Sequence, residues 1–137
     1  MYSQINVKSN INDYSVNFSS IEEIIKITKD ENTIIIIDQK VAWYFPQIIN
    51  ERTLLVETSE ELKTWDGLKL IFDGLLLKKA NVTSKLLVIG GGVLQDAAGF
   101  CASVYCRGID YILVPTTLLS QIDSCVGAVS YTHLRAH

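Results

Sequence analysis

Residues 90–100 read GGGVLQDAAGF and follow directly on the apolar run 85–89, KLLVI. No other stretch restricts the fold as strongly. A buried strand, a glycine turn and a helix start form the unit by which α/β proteins offer backbone N–H groups to a phosphate. Glycine suits such a loop because a side chain would hold a pyrophosphate away from the backbone. The run departs from the G-x-G-x-x-G fingerprint, since Gln95 occupies the third glycine position. A tight strand-to-helix turn without a ligand is the plain structural alternative.

The neighbouring pattern agrees with this unit. Short apolar runs at 33–37, 52–56 and 110–114 join 85–89 as strands of the kind buried on both faces. Helical spacing lies between them. Ile21, Ile24, Ile25 and Thr28 repeat on one face, and Ser20 with Glu23 makes a capping box at its start. Thr58 with Glu61 offers a second box. Leu62, Trp65, Leu68, Ile71, Phe72 and Leu75 form one apolar stripe, expected in the core. Tyr14, Val16 and Phe18 alternate and suggest a short edge strand. The alternation predicts an α/β fold with a Rossmann-like, doubly wound parallel sheet. Ligands of such sheets bind at the carboxyl ends of the strands, an edge that would carry Asp38, Glu57 and the Gly90 loop.

Composition narrows the partners. The 137 residues suit one domain or part of one, and 48% of them are hydrophobic, enough for a core. A formal net charge of -3 gives no basic footprint for nucleic acid. No apolar run is long enough for a membrane span, and residues 1–10 lack the apolar stretch of a signal peptide. The three cysteines, Cys101, Cys106 and Cys125, lack metal-type spacing and read as reduced thiols of a cytoplasmic protein.

Several polar residues carry two readings each. Asp96 is expected in the first turn after the glycine loop. There it can either complement the helix dipole or accept hydrogen bonds from a ribose or amide. Asp38 ends a strand as either an N-cap or an acceptor for an adenosine ribose. Thr116 and Thr117 follow Pro115 and can cap the next helix or touch a ligand. Asp123 sits on an otherwise apolar segment and must be solvated or paired. Arg107, beside Gly108, is either a partner for a helix C-terminus or a grip for phosphate.

Together GGGVLQDAAGF and RGIDYILVPTTLLSQIDS closely resemble 3-dehydroquinate synthase and its sugar phosphate cyclase relatives. The resemblance is strong over 86–127 and weaker back through 59–64, SEELKT, which is similar to the family's G-E-x-x-K-S. It implies an NAD-binding N-terminal domain over 1–127, with a C-terminal helical domain outside this sequence. Asp38, Glu60, Lys63, Gly91, Gly92, Val93, Asp96, Thr116 and Thr117 fall on the family's cofactor positions. Asp123 falls on a position that contacts the carbocyclic substrate, and Arg107 on one that reaches the substrate phosphate across a dimer interface.

The implied reaction converts 3-deoxy-arabino-heptulosonate 7-phosphate to 3-dehydroquinate and phosphate, in the shikimate route to aromatic amino acids. The implied enzyme is a carbon–oxygen lyase with catalytic NAD and a divalent metal, zinc or cobalt, acting as a Lewis acid. The metal ligands, a Glu and two His, are expected in the C-terminal domain, so none is assigned here. The implied partners are a sugar acid phosphate and a second copy of the chain, with neither nucleic acid nor membrane. DSCVG at 123–127 resembles the dehydroquinate branch more than the valiolone or inosose branches. The alternatives are a related cyclase with another substrate, a truncated non-catalytic NAD-binding module, and an iron-type polyol dehydrogenase of the same architecture.

The family pattern continues after Gly127 into a second glycine and a lysine, whereas Ala128 and Val129 stand here. Residues 128–137 are therefore expected to be a non-family tail, and the fragment alone is expected to be inactive. His133 and His137 lie four apart and can share a helix face, but a catalytic zinc site wants a third protein ligand.

Overall fold

The computed structural model describes residues 4–8, 10 and 13–124. Two antiparallel strands, β1 (Gln4–Val7) and β2 (Tyr14–Asn17), form a sheet of their own. The alternation at Tyr14, Val16 and Phe18 thus marks a strand outside the main sheet, and Phe18 lies beyond its end. Helix α1 (Ile21–Thr28) starts at the capping box read from the sequence. The Ser20 N–H donates to Glu23 at 3.0 Å and the Glu23 N–H donates to the Ser20 hydroxyl at 3.4 Å.

Four parallel strands build the main sheet: β3 (Thr33–Asp38), β4 (Thr53–Val56), β5 (Lys85–Gly90) and β6 (Asp110–Pro115). Their order is β4-β3-β5-β6. The two central strands are the most completely buried, which is why their sequences are near-continuous aliphatic runs. Strand alternation divides their side chains between two layers. Ile35, Ile37, Leu87 and Ile89 face α1 and helix α2 (Gln39–Tyr44). Ile34, Ile36, Leu86, Val88 and Tyr111 face helices α3 (Trp65–Leu77) and α4 (Gly92–Val104). Each fully buried Ile or Leu stabilises the fold by about 2 kcal/mol relative to exposure.

The connections make the sheet doubly wound. The chain steps from β3 outward to β4 through α2 on one face, then returns past β3 to β5 through α3 on the other. Winding therefore reverses between β3 and β5. A crevice opens at the carboxyl end of such a switch point, and it is the ligand position in open α/β sheets. Asp38 and Gly90, the last residues of these two strands, flank it.

The 57–67 connection departs from the expected pattern. Residues Glu60–Lys63 form a 3-10 turn, and α3 begins only at Trp65, capped by the Thr64 hydroxyl accepting from the Gly67 N–H at 3.3 Å. The Thr58–Glu61 capping box is not formed, and the Thr58 hydroxyl is buried with no hydrogen-bond partner among the described residues. Gly67 explains the late start. A Cβ there would lie 2.5 Å from the Glu61 carbonyl and from the Leu62 Cα, so only glycine lets the turn press on the helix. The apolar stripe is broken accordingly. Leu62, Leu68, Ile71 and Leu75 are buried and Phe72 packs against them, but Trp65 is 79% exposed.

Candidate functional site

The site grows from the end of β5. Gly91 is the N-cap of α4 with φ -84 and ψ -176, and no side chain caps the helix. The first-turn N–H groups, of which Gly92 and Val93 carry two, are left for an external acceptor, and the helix dipole favours an anion there. The loop is braced from β6, where the Thr116 N–H donates to the Gly90 carbonyl at 3.1 Å. A Cβ on Gly91 would lie 3.2 Å from Thr117 Cγ2. Thr117 and Ser120 exchange hydroxyl and backbone hydrogen bonds, including one of 2.8 Å between their hydroxyls. Thr117 thus takes the capping role, at the start of the segment that contains Ser120–Ser124; Thr116 is exposed beside it.

Asp38 also takes its capping role, accepting from the Lys40 N–H at 2.8 Å at the start of α2. Only one carboxylate oxygen is used there, so acceptor capacity for a ribose hydroxyl remains.

Lys63 and Asp96, far apart in sequence, meet in an ion pair of 2.9 Å. Asp96 does not occupy the first turn of α4. The helix starts at Gly92, Asp96 is its fifth residue, and the Lys63 ammonium rather than the helix dipole partners its carboxylate. The hydrogen bond to Asp96 raises the Lys63 pKa above the ordinary lysine range; partial burial opposes this, and the charges of Asp96 and Glu60 add to it. Glu60 is exposed on the same 3-10 turn.

A groove of about 530 Å³ adjoins the pair, lined by Lys63, Thr64, Trp65, Leu68, Asp96, Ala97 and Phe100. Trp65 and Phe100 pack edge to face across it with ring centroids 6.4 Å apart. Periodicity alone puts Trp65 in the core; the signal that places it at the helix start is Thr64, whose hydroxyl caps α3.

Arg107 stands apart. It follows the C-terminus of α4, a helix of 13 residues and so about 20 Å long, at the opposite edge of the sheet from Gly91. The described chain does not join it to the Lys63–Asp96 cluster. Asp123 belongs to the turn Ser120–Ser124 after β6. Burial pushes the Cys101 thiol up to about 12, and Cys106 is exposed. Cys125, His133, His137 and the expected junction at Ala128 lie outside the described residues.

An open parallel sheet with an uncapped glycine helix start at its switch point defines a doubly wound α/β domain. The chain belongs to the 3-dehydroquinate synthase N-terminal family, whose model matches residues 53–134, more than half of the sequence. A solved structure of ValA, the 2-epi-5-epi-valiolone synthase of Streptomyces hygroscopicus subsp. jinggangensis 5008 with NAD+ and Zn2+ bound, is similar at 25% identity and a TM-score of 0.65. That match covers 74% of this chain and 31% of ValA. A 2-deoxy-scyllo-inosose synthase shares the fold at 24% identity and a TM-score of 0.68, over 89% of this chain and 38% of that one. The same fold likeness holds for a 2-deoxy-scyllo-inosose synthase complexed with carbaglucose-6-phosphate, NAD+ and Co2+, at 24% identity, a TM-score of 0.68, and coverage of 89% and 37%. This chain spans about a third of the length of these proteins.

Proposed function

We propose that this chain is the NAD-binding part of a sugar phosphate cyclase, and specifically of a 3-dehydroquinate synthase acting on 3-deoxy-arabino-heptulosonate 7-phosphate. The observation that carries the reading is the junction of Lys63 and Asp96 beside the uncapped glycine start of α4. It joins the two separate motif segments of the family resemblance into one site.

The residues fit the cofactor. Its pyrophosphate would rest on the N–H groups of Gly91, Gly92 and Val93, at a helix start that no side chain caps. Lys63 would add a cation near the phosphates, with Glu60 beside it. Asp38 would accept from a ribose hydroxyl, and Asp96 from the nicotinamide half, with the Lys63 ion pair orienting its carboxylate. Thr116 and Thr117 would close the cradle from the β6 side. NAD, when bound, supplies a reversible hydride acceptor for a substrate hydroxyl carbon. The chain's own contribution is to hold that acceptor in one place through the whole cycle. Asp123 would contact the substrate, and Arg107, pointing its element away from this cleft, would serve the phosphate of a substrate held by a second copy in a cytoplasmic homodimer.

A divalent metal belongs to this reading. The family resemblance assigns its ligands, a Glu and two His, to the C-terminal helical domain of such cyclases.

The second reading, a related cyclase with another sugar phosphate, is favoured by one observation: the solved neighbours are valiolone and inosose synthases. The test supplies the full-length protein with NAD, zinc or cobalt, and the heptulosonate phosphate. Formation of dehydroquinate supports the first reading. Turnover of a different sugar phosphate alone supports the second. No heat stabilisation by NAD and no turnover would sink both.

A further inference from the structure

Gln95 is the largest buried polar side chain among the described residues, only 1% exposed. It sits in the second turn of α4, facing back toward the strand that precedes the helix. Burying an amide is costly unless its hydrogen bonds are supplied, and a Met or Leu would fill the same volume without that cost. The amide does find a partner at the glycine loop. Its Nε2 donates to the Gly90 carbonyl at 3.3 Å, and the Thr116 N–H donates to the same oxygen at 3.1 Å.

Two donors on one carbonyl use both lone pairs and fix the plane of the peptide. The bond between Gly90 and Gly91 is trans, so its N–H points opposite to its C=O. Glycine has no side chain to hold that plane, so without Gln95 the end of β5 would be held by the single ladder bond from Thr116. A carbonyl held between the Thr116 N–H of the β6 side and the Gln95 amide of α4 therefore sets the aim of the Gly91 N–H, on the opposite side of the peptide, and of the helix start after it.

We propose that Gln95 is a positioning residue of the phosphate cradle, acting through the Gly90 carbonyl to preset the backbone N–H groups that receive a pyrophosphate. This rests on the NAD reading above. It also gives a reason for a large polar residue at the place where the common dinucleotide fingerprint has glycine: the helix start is locked from behind by a side chain.

The test uses the full-length protein and NAD titrations at a temperature where every variant is folded. Gln95→Met keeps the volume and loses the donor; NAD binding is expected to weaken about tenfold, the scale of one buried hydrogen bond. Gln95→Glu adds a pH readout. Its neutral carboxyl can donate to Gly90, so affinity should approach that of the wild type at low pH and fall as pH rises and the group ionises. A merely structural role would lower the melting temperature and leave both affinities within about twofold of wild type at all pH values, and that outcome overturns the proposal. If Gln95→Met does not fold, the pH profile of Gln95→Glu decides: a flat profile overturns the proposal. Wild-type protein that fails to bind NAD would remove the cofactor reading first, and this inference with it.

Discussion

The two ends of α4 use the backbone in opposite ways. At the start, Gly91 holds an ordinary extended conformation, φ -84 and ψ -176, that any residue can adopt. Glycine there answers to close approach and not to backbone conformation: a Cβ would meet Thr117 Cγ2 at 3.2 Å. At the far end the chain turns through Cys106 (φ 50), Arg107 (φ 68) and Gly108 (φ 107), all in the left-handed region. Two of these are not glycine, and each left-handed non-glycine residue costs about 1 kcal/mol. One end keeps its donors open at no conformational cost. The other accepts strain and presents an arginine at the opposite edge of the sheet. Under the proposed function the two ends serve different ligands, the cofactor at the first and the phosphate of a substrate at the second.

The largest expected effect comes from Gly67, which holds the Lys63 turn against the first end. Gly67→Ala places a Cβ 2.5 Å from backbone atoms of Glu61 and Leu62, none of which can swing away. Urea denaturation should show a loss of about 3 kcal/mol. Gly74→Ala is the control: its clash is with the Leu54 side chain, which is only half-buried and can move, and alanine favours the helix. Equal losses for the two would contradict the role given to Gly67.

Next come the glycines at the two ends of α4. Gly108→Ala should cost about 1–2 kcal/mol of stability, because alanine resists φ 107, and should leave NAD binding intact. Gly91→Ala should do the reverse, with stability changed by less than about 1 kcal/mol and NAD binding weakened about tenfold. The comparison of the two ends breaks if both variants behave alike in denaturation and in NAD titration.

Arg107→Gly should relieve strain and raise stability by about 0.5–1 kcal/mol in urea, while lowering activity of the full-length enzyme. A destabilised Arg107→Gly would mean that the side chain holds the fold together.

The smallest effect concerns pH. The folded-state pKa of Lys63 is raised above the ordinary value of 10.5, so its pairing with Asp96 stabilises the fold below that pH and is lost as pH rises through the raised value. The pair is half-exposed, and its contribution stays below about 1 kcal/mol. Stability curves of wild type and Lys63→Met should therefore converge in strong alkali. A gap that persists unchanged there would assign the pair no role in stability.

Much of this was legible in the sequence, and unevenly so. The four strands of the main sheet, the Ser20–Glu23 box and the glycine loop are local features: each is fixed by side-chain period or by residues a turn apart. The ligand edge followed from the α/β alternation, because the fold class places ligands at the carboxyl ends of the strands; the switch point between β3 and β5 needed the strand order. The 57–67 connection departs from its sequence pattern because its helix start is decided by a tertiary contact. The approach of Gly67 to the Glu61 and Leu62 backbone overrides the cap pattern at Thr58. The same packing brings Lys63 to Asp96, a pair no periodicity connects. Resemblance named both as cofactor positions, but their mutual contact came from the fold. Gln95 stood out only as a departure from the fingerprint, since its partner is a backbone carbonyl.

The most direct measurement is calorimetric titration of NAD into full-length Asp96→Ala and Arg107→Ala, one in the second turn of α4 and the other just beyond its C-terminus. Asp96→Ala is expected to weaken NAD binding about tenfold or more, with Arg107→Ala within about twofold of wild type. An Arg107→Ala variant that loses NAD as badly as Asp96→Ala, or an Asp96→Ala variant that binds NAD normally, would contradict the assignment of the cofactor to the glycine end of α4.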